Sequence, residues 1–314
     1  MSLLLAAVLF VSLTIVSTFM YLGYLYFEYG WPYTGPDINS WSIGIYTGTS
    51  PFDLQPPQGV ANPVLTAHDI SDTQASFIAD PFMIKEGSIW YMFFEVMRAK
   101  EDRGDIGMAT SEDGLKWQYK QIVLSESFHL SYPYVFKWNN EFYMIPESKG
   151  GDSVRLYKAD NFPTGWSCQT TLLEGKFIDN SIFYYEDKWW MLTSKPKKTL
   201  RLFFADDLVG PWTEHPKSPI YKKDPFKGRM GGRVVMYNDR LIRFAQDINF
   251  VYGNKVRAFE ITQLSTTEFE EKLVQKRPAL RRSGKGWNRI GMHHLDPHQI
   301  DGNIWLASVD GFGC

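Results

Sequence analysis

Acidic residues recur at matching places along this chain, and their spacing is the first feature that could do chemistry. Asp80 opens "DPFMI", Glu147 lies in "MIPES", and Asp179 sits in "FIDNSIF". Each lies beside a short apolar run, and the runs come in pairs. Counting back eleven residues from Tyr91, Tyr143, Trp190, Ile242 and Trp305 in the second runs reaches Asp80, Tyr132, Asp179, Gly231 and His294. The second runs end at Glu95, Glu147, Ser194, Gln246 and Val309. If each pair is antiparallel, the end of the second run returns to the start of the first. Two Asp and two Glu would then converge at one mouth, with His294 beside them. The alignment rests on spacing alone and tolerates a slip of one or two residues.

Convergent carboxyl groups suit chemistry at a glycosidic bond. One group protonates the leaving oxygen, while another activates water or attacks the anomeric carbon. Asp80 is the expected base or nucleophile. Glu147 is the expected acid, given burial that raises its pKa. Asp179 would orient a sugar hydroxyl or tune the acid. Glu95, Tyr132, Arg233, His294 and Asp296 are the expected substrate contacts. A plainer use competes with each acid, because Asp-Pro and Glu-Ser at strand ends commonly bond turn amides. Arg233, after Gly231-Gly232, could grip an anionic group in a fork or pair with a channel acid. In "HHLDPH", neighbouring strand residues face opposite ways, so only one of His293 and His294 is expected to enter the channel. That spacing fits no zinc motif. No metal ligand and no cofactor are assigned, although a channel cation such as calcium is compatible with the acids.

The elements that must carry these residues repeat. "ADPFMIK" and "IWYMFFE" read as two strands joined by a Glu-Gly-Ser turn, and "IGMATSEDGLKW" adds a third. The third strand recurs as "LYKADNFPTGW" and "LFFADDLVGPW", and more loosely as "AFEITQL". Asn139-Asn140, Glu186-Asp187 and Asn238-Asp239 mark turns between first and second strands. A period of about 50 residues fits four-stranded propeller blades better than a helical solenoid. Five units are visible, and the last lacks strands before the chain reaches Cys314. "IGIYTGTS", from Ile43, copies the third strand, so residues 41–70 are expected to complete the fifth blade. The expected fold is therefore an all-β, five-bladed propeller closed by N- and C-terminal strands, which leaves no exposed sheet edge at the seam.

Residues 3–27 carry no charge and are long enough to span a bilayer. They lack the basic start and small-residue cleavage site of a signal peptide. The chain thus divides into a transmembrane helix and anchor (1–28), a Pro/Gly linker (29–40) and the propeller (41–314). Such a single-pass anchor leads to a luminal or extracellular propeller. A net charge of −2 without a basic stripe excludes nucleic acid as a natural partner. Aromatics make up 16% of residues, enough to fill the spaces between blades and leave a few for sugar stacking. Two cysteines, Cys168 and Cys314, make no disulfide framework.

"WSIGIYTGTSPFDL", "NPVLTAHDISDTQASFIADPF", "MIPES" and "GMHHLDPHQIDGNIWLASVDG" together resemble the N-terminal domain of plant glucosamine inositolphosphorylceramide transferases. The resemblance runs from residue 41 onward. It implies a propeller similar to glycoside hydrolase family 43. In the plant proteins this domain precedes a separate glycosyltransferase domain, and the sequence here ends before one. The resemblance to family 43 also implies Asp, Asp and Glu at the starts of the first three blades. The matching residues are Asp80, Tyr132 and Asp179, so any catalysis must recruit Glu147 or Glu95. Two expectations follow: a membrane-anchored glycosidase or transglycosidase acting on a glycan or glycosphingolipid headgroup, or a non-catalytic glycan-binding module serving a separate glycosyltransferase.

Overall fold

Tight turns set the blades. In a two-residue hairpin, positive φ at both turn positions matches the right-handed twist of the strands. Asn139 and Asn140 (49° and 62°), Glu186 and Asp187 (49° and 57°) and Asn238 and Asp239 (49° and 60°) all adopt it. Polar, short side chains tolerate that region best, which is why three of these pairs were legible as turns. The computed structural model describes residues 17, 40–249 and 252–313. The expected anchor and linker lie outside the described residues apart from Ser17 and Ser40. Among the described residues no helix is long and apolar enough to cross a membrane.

The chain opens with β1 (Ser40–Ser50) and β2 (Asp53–Gln55). The first blade is β3 (Ala75–Glu86), β4 (Ile89–Arg98), β5 (Arg103–Ser111) and β6 (Gln118–Leu124). The second is β7 (Ser131–Trp138), β8 (Glu141–Glu147), β9 (Ser153–Asn161) and β10 (Thr164–Glu174). The third is β11 (Ile178–Tyr185), β12 (Lys188–Lys195), β13 (Thr199–Ala205) and β14 (Thr213–Glu214). The fourth is β15 (Val235–Tyr237), β16 (Arg240–Asp247), β17 (Lys255–Leu264) and β18 (Phe269–Leu273), with β19 (Leu280–Arg281) also on β17. The fifth joins both ends of the chain: β20 (Leu295–Asp301) and β21 (Ile304–Gly313) are followed in the sheet by β1 and β2. β1 runs antiparallel to β21 from Ser40 opposite Gly313 to Gly48 opposite Trp305. Strands from the two termini thus close a five-bladed, all-β propeller.

Blades bury both faces of their inner strands, so those strands are nearly continuous apolar runs rather than alternating ones. Met92, Phe93 and Phe94 are all fully buried, as are Met191 and Leu192. One apolar cluster runs through the first three blades into the fourth, a second lies around blades four and five, and a third joins β1 to the first blade. Gly232 marks the closest approach at the centre. A Cβ there would sit 1.8 Å from the Leu295 carbonyl oxygen, and the Leu295 amide donates to the Gly231 carbonyl at 3.0 Å. Only glycine permits that contact between the fourth and fifth blades.

Candidate active site

The first strands of three blades break at the same place. Asp80, Tyr132 and Asp179 have φ of 53°, 47° and 54°. The pairing register shifts around each: between Ala79 and Phe82, Ser131 and Tyr134, and Ile178 and Ser181. A bulge of this kind re-aims one side chain out of the strand's alternation. Non-glycine residues in this region are uncommon, and such outliers cluster at functional sites. Asp80 therefore does not start its strand as the spacing suggested. It sits within β3 at the break, five residues after Ala75.

Beside these breaks lies a cavity of about 280 Å³. Asp80, Glu95, Glu147 and Asp179 all line it, so the four acids converge at one mouth. Glu147 arrives from the end of β8, opposite Ser131, and Glu95 from within β4, three residues before its end at Arg98 and opposite Ala79. The other four expected site residues do not line it. Tyr132 is fully buried; its hydroxyl bonds Ser181 Oγ (2.9 Å) and the Gly232 carbonyl (3.1 Å) and accepts from the Gly232 amide (2.8 Å). Arg233 donates to Asp296 Oδ1 (2.7 Å) and to the Val135 carbonyl (3.0 Å), the pairing alternative weighed for it. Asp296 also takes the Met83 amide (2.6 Å) and contacts His298 (2.8 Å). His294 is buried, with both ring nitrogens lacking a hydrogen-bond partner among the described residues.

His293, not His294, lines the cavity. One histidine enters, as expected, but alternation does not choose it, because both precede β20 and are not in a strand. Asp310 Oδ1 accepts both of their amides at 3.0 Å and bends the backbone around itself. His293 Nε2 and His294 Nδ1 then lie 3.7 and 3.8 Å from Asp80 Oδ1. A slip of one residue in the fifth unit, from His294 to His293 and from Val309 to Asp310, would have found both groups.

Charge separates the acids. Both Asp179 oxygens accept from the Arg229 guanidinium, at 2.7 and 2.8 Å, in a bidentate fork. Burial pushes Glu147 up to about 7, with the Asp179 charge adding and Lys149 and Arg229 opposing. Burial also pushes Asp80 up to about 7; His293 opposes the rise, and Asp310, Asp179 and Glu147 add to it. Glu95 is held well above the usual range by burial, then by Asp80 and Glu147. Its Oε1 lies 3.3 Å from His129 Nε2. The Gly104 amide donates to His129 Nδ1, which places the neutral ring's proton on Nε2, facing Glu95. His129 is itself pulled down by burial and by Lys149. His294 is lowered to about 4 by burial and stays neutral.

Near neutral pH, Asp80 and Glu147 thus hold fewer protons than they have sites for. One can donate while the other accepts, which is what acid–base chemistry at a glycosidic bond needs. Asp80, His293 and Asp310 also present ligand atoms within 4.8 Å of one another. By themselves these three residues do not compose a calcium cage. Asp310 already takes three backbone amides, from Asp80, His293 and His294, and lies 2.7 Å from His293 Nδ1. Calcium takes six to eight oxygens, whereas this trio offers four carboxylate oxygens, and both of Asp310's already accept backbone amides.

The sequence reading also missed Trp41, Arg229 and Tyr252 on the cavity wall. Trp41, on β1, stacks on His293 with ring centroids 4.1 Å apart. The Arg229 guanidinium lies 5.5 Å from the Tyr252 ring, which also meets Trp41 and His293 edge-on, and the residue as a whole is 48% exposed.

The closed ring matches solved propellers. A thermostable family-43 glycoside hydrolase superposes with a TM-score of 0.59 at 15% identity, over 81% of this chain and 91% of its own. The Cellvibrio cellulosa alpha-L-arabinanase, complexed with arabinohexaose, gives 0.54 at 15% identity, over 76% and 91%. At such identities the likeness is one of fold. Sequence relatives are nearer. Glucosamine inositolphosphorylceramide transferase 1 of Oryza sativa subsp. japonica is 36% identical over 296 residues, and that of Arabidopsis thaliana 35%. These matches take in 87% of this chain but 40% and 39% of the relatives, so the chain spans well under half their length. A family model described as glucosamine inositolphosphorylceramide transferase 1, N-terminal, matches residues 36–312, nearly the whole of the propeller built above. By that match the chain belongs to the family of this N-terminal domain.

Proposed function

We propose that the cavity binds a glycan headgroup and acts on a glycosidic bond, as glycosidase or transglycosidase, with Glu147 as proton donor and Asp80 as base or nucleophile. The observation that carries this reading is the pair itself: two buried carboxyl groups in one small cavity, both raised to about 7. Asp179, with both oxygens held in the Arg229 fork, serves to hold the site's geometry and tune Glu147. Tyr252 supplies an aromatic face for a sugar ring.

A glycolipid substrate is supported by the relatives' names and by chain geometry. Trp41 lines the cavity only one residue into β1. If residues 3–27 anchor the chain, residues 28–39 allow a reach of at most about 40 Å. The cavity would then be held near the membrane surface, on its luminal or extracellular side.

A second reading, glycan binding in support of a separate glycosyltransferase, is favoured by Tyr132. It occupies the second-blade position where the hydrolase resemblance implies an acid, and it is sealed below the cavity. The two readings part on one experiment. The full chain is incubated with aryl glycosides, oligosaccharides and inositol-phosphate glycolipids while sugar release and binding are followed. Turnover lost in both Asp80→Asn and Glu147→Gln establishes the enzyme. Binding without turnover, weakened by the same changes, establishes the module. Neither binding nor turnover on any of these refutes both.

A further inference from the structure

We infer that His293, held by Asp310, is the counter-charge of Asp80: a positioning residue that favours the ionised form of this carboxylate among the other acids of the cavity. The inference rests on the acid–base reading above for its functional consequence, but its geometry is independent of it. Asp80 Oδ1 has no hydrogen-bond partner among the described residues. The other cations nearby are committed: Arg229 to Asp179 in a fork, and Lys149 to Glu147 at 3.4 Å. His293 Nε2, at 3.7 Å, is left to face Asp80.

Asp310 is built to hold that imidazole. It is fully buried, and its Oδ2 lies 2.7 Å from His293 Nδ1. Its carboxylate also accepts the amides of His293 and His294 and, at 3.2 Å, the amide of Asp80. One side chain from β21 therefore fixes the backbone on both sides of the contact as well as the ring between them. Trp41 stacks on that ring from β1, and Tyr252 meets it edge-on at 5.1 Å. The result is an Asp310–His293–Asp80 chain in which the outer carboxylate is buried and the inner one faces the cavity.

The titratable groups around His293 pull in both directions. Burial lowers its pKa, and so does Arg229, while Asp310 and then Asp80 raise it; the net is a rise. Asp310 is itself lowered: burial raises it most, but the His293 charge and the hydrogen bonds it receives from His293 together pull it down. His294 adds no charge at neutral pH. The consequence is directional. Removing His293 should send the Asp80 pKa higher, and removing the Asp310 charge should send the His293 pKa lower.

The test is nitrogen-15 NMR of the full chain labelled at histidine, with His293 assigned by loss of its signals in His293→Gln. The expected result is an imidazole protonated at both nitrogens at pH 7, with a pKa about one unit or more lower in Asp310→Asn. A His293 that is neutral at pH 7, or that titrates identically in the two proteins, overturns the inference. If Asp310→Asn does not fold, the charge state of wild-type His293 at pH 7 decides alone. Where turnover exists, His293→Gln should also move the acidic limb of its pH profile upward, a change that loss of packing would not produce. Charged His293 without turnover leaves this inference standing and removes the enzymatic reading; turnover with neutral His293 does the reverse.

Discussion

Replacing Glu147 by Gln should stabilise the protein at pH 8 and destabilise it slightly, by about 1 kcal/mol, at pH 4. The folded protein raises this carboxyl from 4.5 to about 7, chiefly through burial. Between those values the folded state keeps a proton that the unfolded chain releases, so stability falls as pH rises through the window and is flat above it. At about 1.4 kcal/mol per pKa unit, the charged side chain costs roughly 3 kcal/mol at pH 8. Glutamine removes that cost and keeps the shape. Its carbonyl can still accept the Asp179 amide, which now reaches Glu147 Oε2 at 3.4 Å. Its NH2 would face Lys149, half-exposed and free to swing away, so about 1 kcal/mol is subtracted for an ill-matched donor. A net gain of about 2 kcal/mol corresponds to a rise in Tm of roughly 4–8 °C for a domain of this size. Thermal melts followed by circular dichroism at pH 4, 6 and 8 measure it. An equal shift at pH 4 and pH 8, or a loss at pH 8, would refute the placing of a buried acid with a raised pKa at this position.

Arg229→Met should destabilise by roughly 3–5 kcal/mol in denaturant melts, because it strands the buried Asp179 carboxylate. Adding Asp179→Asn to the same chain should recover most of that loss, and no recovery would show that Arg229 acts through packing on Tyr252 instead. Tyr132→Phe should cost about 1–3 kcal/mol by leaving the Gly232 amide without its acceptor. Its glycan binding, measured by calorimetry, should match wild type; a clear drop would place Tyr132 in the binding site after all.

What could be read from the chain and what could not differ in range of interaction. Hairpin pairing is local, and a period of two fixes which residues share a face. Spacing within one hairpin therefore located Asp80, Glu95, Glu147 and Asp179 without any knowledge of the ring. The closing strand was legible for the same reason, since "IGIYTGTS" carries the third-strand pattern wherever it falls in the chain. The partners of those acids obey no such rule. Arg229 meets Asp179 from 50 residues away, and Asp310 meets the Asp80 amide from 230 residues away. Packing of the third blade against the segment that leads into the fourth makes the first contact, and closure of the ring makes the second. His293 escaped for a related reason, because the alternation used to place it applies within a strand and Asp310 folds the backbone just before one. This division matters for function. Four acids found by spacing are chemically equivalent, and nothing local tells donor from acceptor. The long-range partners make the difference: Arg229 ties up Asp179, burial without a fork leaves Glu147 able to hold a proton, and His293 faces Asp80. A propeller can thus keep its strand pattern intact and change its chemistry by exchanging residues on loops and at the seam between its ends.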